Sequence, residues 1–311
     1  MALAGLVLAL LAAAPMVASN VVLNFLATAL IVGVAAQGWN LLAGYGGQLS
    51  FGHAAFFGTG AYATAVLQVR FGINAWVAVG AGVLLGAAVG WLIGALSFRA
   101  RLRGSYFALI TLAFAEVMRI LANATDFLGG AAGLLIKLQP GVGQLQFASR
   151  GDFVWLLTAV VAGLMALTAA LVRGRFGARL VAVRENEDAA QALGVDVLRT
   201  KLAAISLSGA VTALAGCLYA QNFLYLDANI GFGTWISVEV LIACILGGRG
   251  TVLGPVVGAL ALHAIGQAAK TALSGVAGPV PGLDLAFSGA LLILAVAFLP
   301  SGLTGRFRGR A

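Results

Sequence analysis

Glu116 and Glu239 are acidic residues set inside apolar segments, and Arg119 follows Glu116 at a spacing of three. Ionised groups are costly to bury in apolar surroundings, so residues of this kind pair with one another, hold polar backbone or serve transport. An i, i+3 spacing puts Glu116 and Arg119 on one helix face, where they neutralise each other. A structural ion pair is the first reading and a part in transport the second. Glu239 has no basic residue within one helical turn, and Arg249 is the nearest in chain order. It either carries a proton or holds a helix break by hydrogen bonding, and the second is favoured. Gln48, Ser50 and His53 form a third set, in and just after the glycine-rich stretch Gly44-Tyr-Gly-Gly-Gln-Leu-Ser-Phe-Gly52. Non-helical backbone at membrane depth is tolerated where it is buried in protein or lines a cavity. In a cavity these three side chains could hydrogen-bond a passing solute. In a tight turn between helices, His53 would be a satisfied packing histidine.

Catalytic machinery is not legible. His53 and His263 are the only histidines, so no HExxH zinc motif exists. The three lysines follow Ile136, Thr200 and Ala269, whereas a phosphate-binding P-loop needs Gly-Lys-Ser/Thr. If ATP drives this protein, another subunit supplies the ATPase. Cys217 and Cys244 lie in apolar runs without a CxxC spacing and read as small buried hydrophobes. No catalytic residue, cofactor or metal is expected.

The elements that must carry these residues are transmembrane helices. Charged residues make up 9% of the chain, against about 25% in ordinary soluble domains. With 61% hydrophobic residues, the chain needs a bilayer to cover its surface. A span takes about 20 mainly apolar residues. Charges and turn formers divide the sequence into ten candidate spans at 3–19, 21–43, 51–69, 75–98, 104–124, 153–172, 202–224, 233–248, 252–271 and 285–303. The third opens in the glycine-rich break and is a re-entrant candidate, so eight to ten spans are expected in one all-α bundle. No Lys or Arg precedes Arg70. Secretory signals normally begin with basic residues, so 3–19 reads as a first span, with Ala12-Ala13-Ala14 the one cleavage-like stretch.

With the N-terminus in the cytoplasm, the inner side holds Arg99, Arg101 and Arg103, six basic residues between 173 and 201, Arg249, and Arg306, Arg308 and Arg310. The outer side holds Arg70, Lys137, Arg150 and Lys270. This excess supports both termini inside, and it accounts for the net charge of +8 without invoking nucleic acid. Gly82, Gly86, Gly90 and Gly94 recur every four residues, as do Gly250, Gly254 and Gly258. Small residues at this spacing let helix backbones approach closely. An echo, L-x-G-x-G-x-x-L, appears at 42–49 and 246–253. Duplicated halves are common in transporters, and chance in a chain rich in glycine and leucine explains it equally well.

The segment 173–201 concentrates charge. Asn186 fits a helix N-cap, Glu187 and Asp188 suit the first turn, and Gly194 suits the left-handed position past the end. A two-turn helix is expected there, with Ala189, Ala190 and Leu193 forming a small apolar knob able to seat in a groove on a soluble partner. An inter-span helix that touches nothing is the alternative.

Asp188-Ala189-Ala190-x-x-x-Gly194 resembles the EAA-x-x-x-G loop of ABC importer permeases, with Asp for Glu. The distal I-x-L-P half is not matched: Ile205-Ser-Leu207-Ser208 is one residue late and lacks the proline. Trp39-Asn-Leu-Leu-Ala-Gly-Tyr-Gly-Gly-Gln-Leu-Ser-Phe-Gly-His-Ala-Ala-Phe57, Arg103-Gly-Ser-Tyr-Phe-Ala-Leu-Ile-Thr-Leu-Ala-Phe114, Ser237-Val-Glu239 and Leu246-Gly-Gly-Arg-Gly-Thr-Val-Leu-Gly-Pro-Val-Val-Gly258 resemble branched-chain amino acid permeases, in order from about residue 37 to 260. Leu128-Gly-Gly130 departs from the Thr-Gly-Gly expected there. The resemblance implies a single permease domain over 1–311 in the bacterial inner membrane. It implies a second related permease, two ATP-binding subunits and a periplasmic or lipid-anchored binding protein as partners. It also implies that Glu187, Asp188, Ala189, Ala190, Leu193 and Gly194 form the loop that seats on the ATPase. Ala190→Arg would then uncouple transport without unfolding the bundle. Urea or short amides are alternative cargoes within the class. An ion-coupled carrier working alone is the alternative outside it, and a membrane enzyme is disfavoured by the missing catalytic set.

Overall fold

The computed structural model describes residues 2–277, 289–290 and 302–305. In chain order its main elements are α1 (Ala2–Val17), α2 (Asn20–Trp39) running into a π-helical turn (Asn40–Tyr45), α3 (His53–Phe71), α4 (Ala75–Arg99), α5 (Gly104–Ala124), β1 (Leu134–Leu135), α6 (Arg150–Arg173), α7 (Arg175–Glu185), α8 (Glu187–Ala192), α9 (Val197–Phe223), β2 (Tyr225–Leu226), α10 (Ala228–Gly231), α11 (Thr234–Gly247), α12 (Gly254–Ala277) and α13 (Gly302–Gly305). The fold is an all-α bundle. Among the described residues one two-stranded sheet pairs β1 with β2 antiparallel, Leu134 opposite Leu226.

Six segments are long and apolar enough to cross a membrane: Asn20–Tyr45, Ala75–Arg99, Gly104–Ala124, Arg150–Arg173, Val197–Phe223 and Ala228–Gly247. The expected ten is therefore not reached among the described residues. The apolar part of α1 and Gly254–Ala268 within α12 are shorter apolar helices. The span expected at 285–303 lies almost wholly outside the described residues. α3 occupies the third expected span but is not among the six, and its burial gives the reason. Its residues from His53 to Phe57 are all buried within the bundle. A helix surrounded by other helices need not be as apolar as one facing lipid.

α9 is the centre of the bundle, packed by α2, α3 and α4. The α4 glycines make this possible. A Cβ at Gly86 would collide with Ala213, at Gly90 with the carbonyl oxygen of Ile205, and at Gly94 with the Ile205 side chain. On α9, a Cβ at Gly209 would meet the Gly86 carbonyl in turn. The other side of α4 exposes Leu84, Leu85, Trp91, Leu92 and Leu96, an apolar surface suited to lipid. In the second ladder, Gly258 packs its backbone against Ala243 and Gly254 lies against Gly247, which brings α11 and α12 together. Gly250 does not belong to that helical stripe: it lies in the connecting loop at φ +70°.

The two echoed segments meet where Gly44 lies against Gly250, and residues just before the first of them add bonds to the second. Asn40, fully buried at the start of the π-helical turn, donates to the Thr251 carbonyl (2.8 Å) and accepts from the Gly250 amide (2.7 Å). Gln37, one turn earlier, donates to the Val252 carbonyl (2.6 Å). Thr304 of α13 adds a bond to the Gly247 carbonyl (2.6 Å), so Gly302–Gly305 sits at the same end of the bundle. Arg184 reaches the Gly44 carbonyl (3.2 Å), bringing α7 there as well. With the α4–α5 turn, these segments form one charged end. Arg70 and Arg150 lie at the opposite end, where they bond the Asp126 carbonyl (3.3 Å) and Asn24 (3.2 Å).

Candidate functional site

The charged segment folds as two helices rather than one. α7 buries Leu180 and Val183 against the bundle, and α8 follows after Asn186. The Asn186 side chain accepts from the amides of Asp188 and Ala189 (both 3.0 Å), as an N-cap should. Gly194 adopts φ +84°; its amide bonds the Gln191 carbonyl (2.9 Å) and that of Val195 bonds the Ala190 carbonyl (3.0 Å). These two bonds are a Schellman closure, so six residues of helix are fixed at both ends.

The outward face of α8 differs from the expected knob. Leu193 is 84% exposed and Ala189 is exposed, but Ala190 is only 2% exposed and packs into its own chain. Tertiary packing of so short a helix decides which of its small residues turn inward. Arginine at position 190 would therefore disturb the fold itself, contrary to the expectation from sequence.

Glu187 also faces inward. Its carboxylate pairs with Arg103 Nε (3.1 Å) and with the ammonium of Lys201. Arg103 stands at the head of α5 and Lys201 lies in the first turns of α9, so one carboxylate ties α8 to two long helices. Asp188 meets Arg103 more loosely (3.6 Å) and is largely exposed. Lys201 is 5% exposed, with its ammonium 5.2 Å from the centre of the Phe98 ring. Arg99, Arg101, Arg103, Glu187, Asp188 and Lys201 line an open groove of about 660 Å³ beside α8. Sequence reasoning missed Lys201; a lysine followed by an apolar run was the available signal.

The break before α3 is buried. Gly52 gives α3 no side-chain cap, so other helices serve its first turn. Ser237 of α11 accepts from the Ala54 amide (2.9 Å), and Thr111 of α5 accepts from Phe51 (3.2 Å). The Trp39 indole donates to the Ser50 carbonyl (2.9 Å). His53 Nε2 lies 2.9 Å from Ser208 Oγ, about 16 Å along α9 from its start at Val197. α3 thus begins deep inside the bundle. Gln48, Ser50 and His53 are 8%, 0% and 0% exposed. They are enclosed by their own chain rather than presented on an open path.

Glu116 and Arg119 form a bidentate pair, Nη2 to Oε1 at 2.6 Å and Nε to Oε2 at 3.0 Å. Arg119 Nη1 also donates to Asn229 Oδ1 of α10 (2.7 Å). Glu239 approaches His263 Nε2 of α12 at 3.6 Å. This contact runs from α11 to α12. His263 and Asn229 were not singled out from sequence, although both are polar residues in apolar surroundings.

Six long apolar segments around a glycine-packed centre define a multi-pass membrane protein. Residues 21–296 match the family described as branched-chain amino acid transport system, permease component, and the chain belongs to that family. Among its relatives is the Escherichia coli (strain K12) high-affinity branched-chain amino acid transport system permease protein LivM. That protein is 30% identical over 280 residues, covering 82% of this chain and 65% of the relative. The probable branched-chain amino acid transport permease protein LivM of Methanocaldococcus jannaschii is 28% identical, covering 82% and 78%. The L-arabinose ABC transporter permease protein AraH of Azospirillum brasilense is 30% identical, covering 71% and 62%. The chain spans somewhat under two thirds of the length of the Escherichia coli relative, 65%, and of the Salmonella typhimurium LivM protein, 58%. No solved structure matches.

Proposed function

We propose that the chain is one permease subunit of an ATP-driven importer for leucine, isoleucine and valine. A second related permease completes the pore, two ATP-binding subunits hydrolyse ATP, and a periplasmic or lipid-anchored binding protein delivers the cargo. The observation that carries this reading is α8: a helix capped at both ends, bearing Asp188-Ala189-Ala190-x-x-x-Gly194 and exposing Leu193 at the charged end. In this reading the charged end faces the cytoplasm, with both termini on that side, as the basic residues favour. ATPase closure shifts the groove that holds Ala189 and Leu193. Glu187 passes the displacement to α5 through Arg103 and to α9 through Lys201. A partner changes access only if its contact differs between the two states, and α8 supplies that contact.

The family match supports branched-chain cargo, while relatives named for arabinose and autoinducer 2 show that related permeases serve other solutes. Uptake of radiolabelled leucine and urea, in cells with and without this gene and with the partner genes intact, tests the reading. Loss of leucine uptake alone supports it. Loss of urea uptake alone replaces the cargo, and no change in either overturns it.

A further inference from the structure

We propose that the open face shared by α5, α10 and α11 is where this subunit meets its cargo, and that it takes the zwitterionic head of an α-amino acid. Arg119 takes the carboxylate and Glu116 the ammonium. This rests on the permease reading above and adds to it a place and a chemistry.

Glu116 lies eight residues before the end of α5, about 12 Å from it, and therefore at membrane depth. Its side chain is 41% exposed and that of Arg119 is 29% exposed. Charge open to hydrocarbon is strongly unfavourable, so groups like these turn toward water or protein. The exposed face of α4 shows what a lipid surface looks like in the same chain, with Leu84, Leu85, Leu92 and Leu96 and no charge. The polar stripe continues from α5. Arg119 bonds Asn229, and Trp235 Nε1 donates to the Asn229 carbonyl (3.3 Å). Glu239, one turn beyond Trp235 on α11, extends the stripe toward the charged end, with its side chain 26% exposed.

The pair has capacity to spare. Three of the five guanidinium N–H groups of Arg119 are used in the bonds to Glu116 and Asn229, leaving two for a carboxylate. Each Glu116 oxygen accepts one of these bonds and keeps a further lone pair for an ammonium. Val117 and Ile120, exposed beside the pair, give the face an apolar side.

Cysteine accessibility in the intact importer, reconstituted with its partner subunits in liposomes, tests this. Cys217 and Cys244 are both 0% exposed, so the background is low. A charged methanethiosulfonate reagent is expected to label Val117→Cys and Ile120→Cys at least tenfold faster than Leu84→Cys, and saturating leucine is expected to slow that labelling at least threefold. Labelling as slow as at position 84, in importer that still takes up leucine, overturns the proposal. Fast labelling unaffected by leucine overturns the amino-acid assignment. Importer that takes up none of the three branched-chain amino acids defeats the cargo reading itself, a result the uptake assay shows separately. The swap Glu116→Arg with Arg119→Glu keeps the ion pair but inverts its order. It should raise the leucine KM at least tenfold with an unchanged melting temperature, and a wild-type KM in the swap also overturns the proposal.

Discussion

Glu187→Ala removes the carboxylate that faces Lys201. The lysine is 5% exposed, so its ammonium is left in protein with no carboxylate beside it. Breaking a buried ion pair from one side costs about 3–5 kcal/mol. The second contact adds little, because the Arg103 side chain is 57% exposed and exposed pairs are worth about 0–1 kcal/mol. Taking about 3 kcal/mol as the local cost, at ~1.4 kcal/mol per decade, α8 should open on the order of 100-fold more often. Hydrogen exchange of the amides between 188 and 195, measured on purified permease, reads this directly. Lys201→Met added to Glu187→Ala should recover most of the protection, since an apolar replacement of both partners leaves no stranded charge. Exchange unchanged in Glu187→Ala would refute the assignment of Glu187 as the tie between α8 and the bundle. No recovery in the double variant would refute the assignment of the cost to Lys201.

Leu193→Arg should weaken association with the ATP-binding subunits at least tenfold, measured by pull-down of the purified subunits, with the melting temperature unchanged because residue 193 is exposed. Ala190→Arg should instead lower the melting temperature, since 190 is buried. At the α4–α9 crossing, Gly86→Leu should destabilise the detergent-solubilised protein by at least the ~1–3 kcal/mol typical of overpacking. Gly80→Leu, with no atom within 4 Å of its Cβ position, should not. Asn40→Ala removes the side chain that accepts from the Gly250 amide and donates to the Thr251 carbonyl, and losing buried bonds of this kind costs about 1–3 kcal/mol. A lowered melting temperature in a thermal-shift assay is the expected result.

The sequence by itself settled the class. Apolar run lengths, scarce charge and the glycine ladder of α4 are one-dimensional signals, and the bilayer makes them decisive because every spanning backbone group must be satisfied within its own helix. The caps of α8 were legible for a related reason: Asn186 and Gly194 act on backbone groups within four residues of themselves. The Glu116–Arg119 pair is equally local, set by helix pitch. Tertiary structure decided the rest. Which face of α8 turns inward depends on α7 and α9, so Ala190 and Leu193 could not be told apart from their spacing. Whether Gln48, Ser50 and His53 face a path or a core depends on α5, α9 and α11, which close over the break from up to 183 residues away in the chain. Lys201 with Glu187, His263 with Glu239, and Asn40 with the 250–251 loop are likewise meetings of distant residues. A polar side chain in an apolar run announces that it needs a partner, but only the packed bundle determines which one it finds.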